Sequence, residues 1–360
     1  MTHQSLTEKI TAGERLNAEE ALALWDLDII TLGRLAHLVR RRRHPEPVIT
    51  YVVDRNINYT NVCVSGCKFC AFYRRPENPE GYVLDQTELE AKLAETVALG
   101  GSGVLLQGGL NPNLPLEYYE DLVKYIRSRF GLHVHGFSPP EIAFWARQTQ
   151  KPMAEILACL MGAGLGSIPG GGAEILVDRV RQAISPHKCS VQEWLAVMET
   201  AHDLGLRTTA TMMFGHLETR AERVEHLLRL RYLQDRTGGF TAFIPWSFQP
   251  NGTALGGTPA SALEYLKTLA VSRLVLDNFA NLQVSWVTQG AKIAQVALSF
   301  GANDFGSTMI EENVVAATGV SFRLCREEIV RQIAAAGYQA RQRDHLYRPM
   351  ETSGEKEPVT

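Results

Sequence analysis

From residue 48 onward the chain alternates short apolar or β-branched runs with longer stretches of helical periodicity, and this limits the folds open to it more than any other feature. VITYVVDRNINY reads as a first strand, followed by a helix over DQTELEAKLAETVALGG with a glycine stop. SGVLLQGG, LHVHGFS, LGSIPGG, LRTTATMMFG, FTAFIPWSF, LQVSWVT and ANDFGST supply seven more strands, most bounded by Gly, Pro or Ser. Helical stretches fall between them at 115–129, 151–163, 190–204, 219–236, 260–278 and 289–300. Eight such units over about 260 residues predict parallel βαβ topology, with a closed (β/α)8 TIM-type barrel over 47–347 as the natural count and a doubly wound open sheet as the runner-up. Residues 1–46 carry Leu22, Leu32, Leu35 and Leu38 at helical spacing and are expected to form a short helical cap. The polar residues 348–360 are expected to be a mobile tail. In either architecture the functional groups gather at the C-terminal ends of the strands.

The composition narrows the partners. A net charge of -3 gives no field for holding nucleic acid, and the basic run Arg40–Arg43 reads as a solvated helix end. The N-terminal stretch lacks the apolar core of a signal peptide, and no run is long enough to insert in a membrane, so a cytoplasmic protein is expected. Six cysteines, three of them between residues 63 and 70, fit metal ligation better than a disulfide framework.

Those three lie in NYTNVCVSGCKFCAFYRR, directly after the first predicted strand, with spacing Cys63-x3-Cys67-x2-Cys70. A structural zinc site wants four protein ligands, as does the cluster of an iron–sulfur electron carrier, and no second Cys or His pair stands nearby. Three thiolates on a 4Fe-4S cluster leave one iron open to a ligand. The spacing, with Phe69 just before the last cysteine, resembles the signature of the radical S-adenosylmethionine superfamily. The resemblance implies that the open iron is chelated by S-adenosylmethionine, which an electron from the cluster cleaves to a 5′-deoxyadenosyl radical. Cys159, Cys189 and Cys325 are left as ordinary thiols.

Other segments at predicted strand ends supply polar groups. Gly108 and Gly109 permit close backbone approach to a ligand. The family commonly has Gly-Gly-Glu at this turn, and Leu110 stands here in place of the acid. Glu174 reads as a carboxylate at the start of a helix, the position from which relatives bind the ribose of S-adenosylmethionine; Lys188 is either a partner for the methionine carboxylate or a solvated lysine. His133 and His135 share one face of the third strand, for substrate contact or core packing, and Gln249, Gln289, Asn303 and Asp304 are further polar candidates. His135 and Asp304 are the candidate catalytic groups, with His133, Gln249, Gln289 and Asn303 as candidate substrate contacts.

Taken together, NYTNVCVSGCKFCAF, QGGLNP, HVHGFSPPEI, PGGGAEIL, FIPWSFQP, SWVTQGAKIAQ and GANDFGSTMIEEN resemble the cyclic dehypoxanthinyl futalosine synthase family, over about residues 15–347. The resemblance implies a substrate, dehypoxanthine futalosine, whose ribose loses hydrogen to the adenosyl radical and whose new carbon radical attacks the benzoate ring, on the futalosine route to menaquinone. It also implies an external electron donor such as flavodoxin or ferredoxin. A barrel mouth covered by the N-terminal cap and loops would keep out water. Aminofutalosine synthase and the deazaflavin-forming synthase subunit are sibling readings, set apart by FIPWSFQP and SWVTQGAKIAQ; a non-catalytic iron–sulfur or zinc module is the reading from another class.

Overall fold

The computed structural model describes residues 3–320 and 322–350. Its strands are β1 (Val48–Val52), β2 (Asp54–Asn58), β3 (Gly103–Gln107), β4 (His133–Gly136), β5 (Leu165–Ile168), β6 (Arg207–Phe214), β7 (Phe240–Ser247), β8 (Asn281–Leu282), β9 (Asp304–Ser307) and β10 (Gln339–Gln342). Strands β2 to β8 form one parallel sheet in chain order, and β1 lies between β10 and β9 in a second. The two are one ring. Val53 alone separates β1 from β2, and the end of β8 joins β9 through Val284 N–H to Asp304 O (3.0 Å) and Asn303 N–H to Leu282 O (3.1 Å). Thr308 and Ile310 continue this edge onto Val52 and Asp54. The parallel strands therefore return to their start as the TIM-type barrel, and the doubly wound alternative is set aside.

Two strand readings change. The run 48–59 divides between two sheets, because β10 pairs with β1 along the edge that β3 takes over from β2. LQVSWVT is a strand only at its start, since the chain turns into a helix at Trp286–Gln289, where the Trp286 indole N–H reaches Ser307 O at 2.9 Å. The helix Pro139–Thr149, absent from the sequence reading, starts on a Ser138/Glu141 capping box with proline in its first turn.

Side-chain parity sets what the strands carry. Val104, Leu106, Val134, Ala210, Met212 and Phe243 are fully buried and face outward, against Leu122, Ile126, Ile142, Trp145, Trp194, Leu230 and Leu269 of the surrounding helices. The residues between them turn inward and are largely polar: Asp54, Asn56, His135, Thr209, Thr211, Gln283 and Ser307 all line the lumen.

The N-terminal helices His3–Ala12, Ala18–Ala23 and Ile29–Arg43 do not cover the mouth. They pack on the flank and beneath the strands, where Arg40 donates to Val48 O (2.9 Å) at the start of β1 and His44 meets Ala280 O (2.9 Å) just before β8. Gly33 lets the third helix close on Phe300, whose ring a Cβ there would meet at 2.7 Å. Nor is Arg40–Arg43 wholly solvated: Arg40 is 2% exposed and lies over the Tyr338 ring, and Arg42 donates to Ile10 O and Thr11 O. Of the tail expected after Tyr347, residues 351–360 lie outside the described residues, while Met350 N–H still bonds Gln342 O at 2.9 Å.

The lower end of the barrel is closed by the chain after β10. Arg343 is bound twice by Asp304, at 2.5 and 2.9 Å, and both side chains are buried. Asp304→Asn leaves a buried guanidinium short of its counter-charge and is expected to cost about 3–5 kcal/mol in urea unfolding. Pairing it with Arg343→Met should restore part of that loss; an Asp304→Asn protein as stable as the parent would refute the anchoring role.

Candidate functional site

The cysteine loop leaves β2 and is pinned on several sides by backbone bonds. Cys63 N–H reaches Arg74 O (2.8 Å), Val64 N–H Leu110 O (3.0 Å) and Lys68 N–H Ile184 O (2.8 Å). Backbone N–H groups point at sulfur: Ser65 and Leu110 donate to Cys63 Sγ at 3.4 and 3.3 Å, and the N–H groups of Tyr73 and Phe72 serve Cys70. Burial pushes the Cys63 thiol up to about 11 and raises that of Cys70, and charge on the neighbouring Cys67 acts on both in the same direction. A metal centre held here would displace the protons of Cys63 and Cys70, and the N–H donors would stabilise the resulting thiolates.

Gly109 presses against this loop, since a Cβ would stand 2.1 Å from Val62 O and 2.9 Å from Cys63 Cβ, and at Gly108 one would meet the Tyr59 ring at 2.4 Å. An acid does reach the Gly-Gly turn despite Leu110. Glu141, 2% exposed, accepts from Gly108 N–H at 3.3 Å, from the Tyr59 hydroxyl, and from Ser138 N–H at 2.6 Å. Its signal in the sequence is the S-P-P-E capping box, which the strand-end reading passed over.

Glu174 is not a helix-start residue. It lies four positions before the helix Asp178–Ile184, at φ +41°, a left-handed conformation that costs a non-glycine residue energy and marks a constrained position. Met213 N–H holds its carbonyl at 3.0 Å, and Arg181 holds those of Gly172 and Ala173. Its carboxylate pairs with Lys188 at 2.5 Å, and Lys188 lies 5.1 Å from the centre of the Phe69 ring. Burial opposes the charge on both, yet Lys188 with Arg181 holds Glu174 below the usual carboxylate range, while Cys67 and Glu174 hold Lys188 above its ordinary value. The structure thus joins Phe69, Glu174 and Lys188 to the cysteine loop. Among the described residues no three ligating side chains converge on a single-ion position, while the three cysteines of one loop, the N–H donors to Cys63 and Cys70 and the close-approach glycines suit the chemistry of a larger iron–sulfur cluster.

Glu174 also lines a cavity of about 270 Å³ within the barrel. Its walls include Leu105, Ile244, Trp246, Trp286 and Met309, and its floor Asp54, His345 and Arg343. His135 lines it, with Nδ1 2.7 Å from Ser167 Oγ; burial lowers this ring to about 3, so it is neutral at neutral pH. His133 binds the same hydroxyl at 2.7 Å and stacks on His345, one layer behind the wall.

Asp304 and Asn303 are structural. Asp304 is spent on Arg343, Thr50 Oγ1 and Gly306 N–H, and Asn303 on Arg273, Leu282 N–H and Asn281. Gln249 and Gln289 both turn to Ser247 Oγ, at 3.1 and 2.6 Å, and neither lines the cavity, although Thr288 does. Asp54, Asn56, His345 and Tyr347 were missed, because parity inside the ring and the return of the chain beneath it leave no local signal.

Residues 57–230 match the family model described as the Radical SAM superfamily, and 237–356 that of the CofH/MqnC C-terminal region. A cyclic dehypoxanthine futalosine synthase of Halalkalibacterium halodurans is 43% identical over 99% of this chain and 97% of its own length. An aminodeoxyfutalosine synthase of Thermus thermophilus is 41% identical over 95% and 94%. Among solved structures, methylornithine synthase superposes with a TM-score of 0.74 at 18% identity, covering 93% of this chain and 97% of its own, which supports the fold alone. The protein belongs to the radical S-adenosylmethionine superfamily. Within it, the chain is of the family that carries the CofH/MqnC C-terminal region, alongside the futalosine synthases.

Two outcomes test this geometry. Anaerobic reconstitution of Cys63→Ala, Cys67→Ala or Cys70→Ala should leave the protein without stable bound iron and sulfide, whereas Cys325→Ala, at an exposed position, should retain both; equal retention in all four would refute the ligand set. Separately, burial raises Asp54 to about 6 from an ordinary 3.8. Its charged form is therefore penalised in the folded state, and stability is lost as pH rises between those values. Asp54→Asn lacks this loss, so its stability relative to the parent should improve by about 2 kcal/mol from pH 4 to 7 at 1.36 kcal/mol per unit, measured by urea unfolding.

Proposed function

We propose that this chain converts dehypoxanthine futalosine to cyclic dehypoxanthinyl futalosine, on the futalosine route to menaquinone. One observation carries the reading: FIPWSFQP and SWVTQGAKIAQ, the segments that set this family apart from its siblings, supply Ile244, Trp246 and Trp286 to the wall of the cavity that Glu174 shares. Cys63, Cys67 and Cys70 would hold a 4Fe-4S cluster, which together with S-adenosylmethionine would supply the radical chemistry for hydrogen abstraction from the substrate ribose. Gly108 and Gly109 give backbone access to the methionine end, and Lys188 offers its charge to the carboxylate. Glu174 accepts from ribose hydroxyls of the cofactor, and Phe69 packs beside Lys188. Trp246 and Trp286 hold the aryl ring against the sugar within one molecule, where proximity replaces a collision, and the enclosing walls exclude water. Neutral His135, oriented by Ser167, presents a ring nitrogen to the substrate. The electron comes from an external carrier such as flavodoxin or ferredoxin. Among the described residues no helix is long and apolar enough to cross a membrane.

Deuterium at the ribose 4′ carbon of dehypoxanthine futalosine should appear in 5′-deoxyadenosine, with one cyclic product for each S-adenosylmethionine consumed, as followed by mass spectrometry. Adenosyl carbons found in the product would point to the aminofutalosine synthase reaction and overturn the assignment.

A further inference from the structure

Among the described residues, two polar atoms in the cavity lining have no hydrogen-bond partner: Asn56 Oδ1 and His345 Nε2. Both residues are only 4% exposed, and a buried polar atom left unpaired is costly unless a ligand or water completes it. Asp54 lies between them. It sits two residues before Asn56 on β2, so the two side chains share the inward face. One Asp54 oxygen takes the Ser307 hydroxyl, and the other stands 3.8 Å from His345 Nε2, too far for a hydrogen bond.

The chemistry of these atoms selects the ligand. The amide oxygen of Asn56 only accepts, ionised Asp54 only accepts, and a neutral imidazole nitrogen does either according to its tautomer. A group that satisfies all three must bring hydrogen-bond donors. An anion is unwelcome, because Asp54 and Asp304 hold negative charge here and Arg343 already donates to Asp304, Gln283 Oε1 and Asp344 O. Ile244, Trp246 and Trp286 offer an apolar surface suited to an aromatic ring.

We propose that Asp54, Asn56 and His345 form a hydroxyl-recognition site in the barrel floor that receives the sugar hydroxyls of the substrate and keeps its carboxylate away from the floor. This rests on the reaction proposed above. The site fixes the position of the sugar, and so acts on substrate affinity and orientation through three residues outside the cysteine loop.

The test is anaerobic titration calorimetry on cluster-loaded protein saturated with S-adenosylmethionine but without reductant, so that nothing turns over. Dehypoxanthine futalosine and its 2- and 3-deoxy sugar analogues are titrated into the parent, Asp54→Asn and Asn56→Ala. The parent should bind at least one deoxy analogue about 10- to 100-fold more weakly than the substrate. Each variant should bind the substrate about 10-fold or more weakly, and the deoxy penalty should shrink in the variants, as a direct contact requires. The deoxy comparison on the parent stands even where a variant misfolds. Deoxy analogues that bind the parent as tightly as the substrate, or a penalty undiminished in the variants, would overturn the site while leaving the proposed reaction standing. Failure of the parent to bind dehypoxanthine futalosine at all would instead sink the proposed reaction, and this site with it.

Discussion

The buried pair of Asp304 and Arg343 fastens the chain that follows β10 directly to β9, across the β1 strand that both flank. Asp304 lies on β9 and takes Thr50 from β1 as well as Arg343 from the segment after β10. A guanidinium and a carboxylate removed from water are costly apart and tolerable only together. Arg343 in turn lies 3.6 Å from the centre of the Tyr347 ring, and the Tyr347 hydroxyl bonds Gln283 Oε1 at 2.6 Å. This ionic contact, with Arg343 N–H on Tyr51 O at 2.8 Å, anchors the segment that forms the floor of the cavity, where His345 stacks on His133.

Given that floor, the strands must carry two different surfaces. Strands of a parallel sheet covered on both faces usually read as continuous apolar runs. Here the outward positions are apolar and meet the helices, while the inward positions carry carboxylate, amide, hydroxyl and imidazole groups. Several of these are held by neighbouring groups, as His133 and His135 are by Ser167, Asp54 by Ser307, and Thr209 and Thr211 by the backbone of Gly170. The lumen is therefore a shaped polar vessel with aromatic walls on one side, and the Gly-Gly turn, the cysteine loop and Glu174 are carried at the strand ends around it.

Local signals made much of this legible in the sequence. The alternation of periods gave the barrel, and the spacing of Cys63, Cys67 and Cys70 gave the cofactor chemistry that family membership supports. What escaped depends on pairings between distant residues. Asp304 and Asn303 sit at a strand and look available, but their partners Arg343 and Arg273 come from other segments that fold beside them. β10 is polar and half exposed, so neither its strand character nor its place beside β1 appears in its residues. Arg40 reads as a solvated charge until Val48 and Tyr338 are brought against it. Glu174 was found by likeness, but the Lys188 pairing and the left-handed backbone that define it needed coordinates.

The order of the walls along the chain has its own consequence. β10 and the Arg343–Tyr347 segment leave the ribosome after every other strand of the ring, so a nascent chain carries a nearly complete barrel with no bottom. An oily bore held open for that interval would invite sticking to other chains. A bore in which Asp54, Asn56, Thr209, Thr211 and Gln283 stand beside the apolar walls offers water polar groups to solvate, which lessens that hazard.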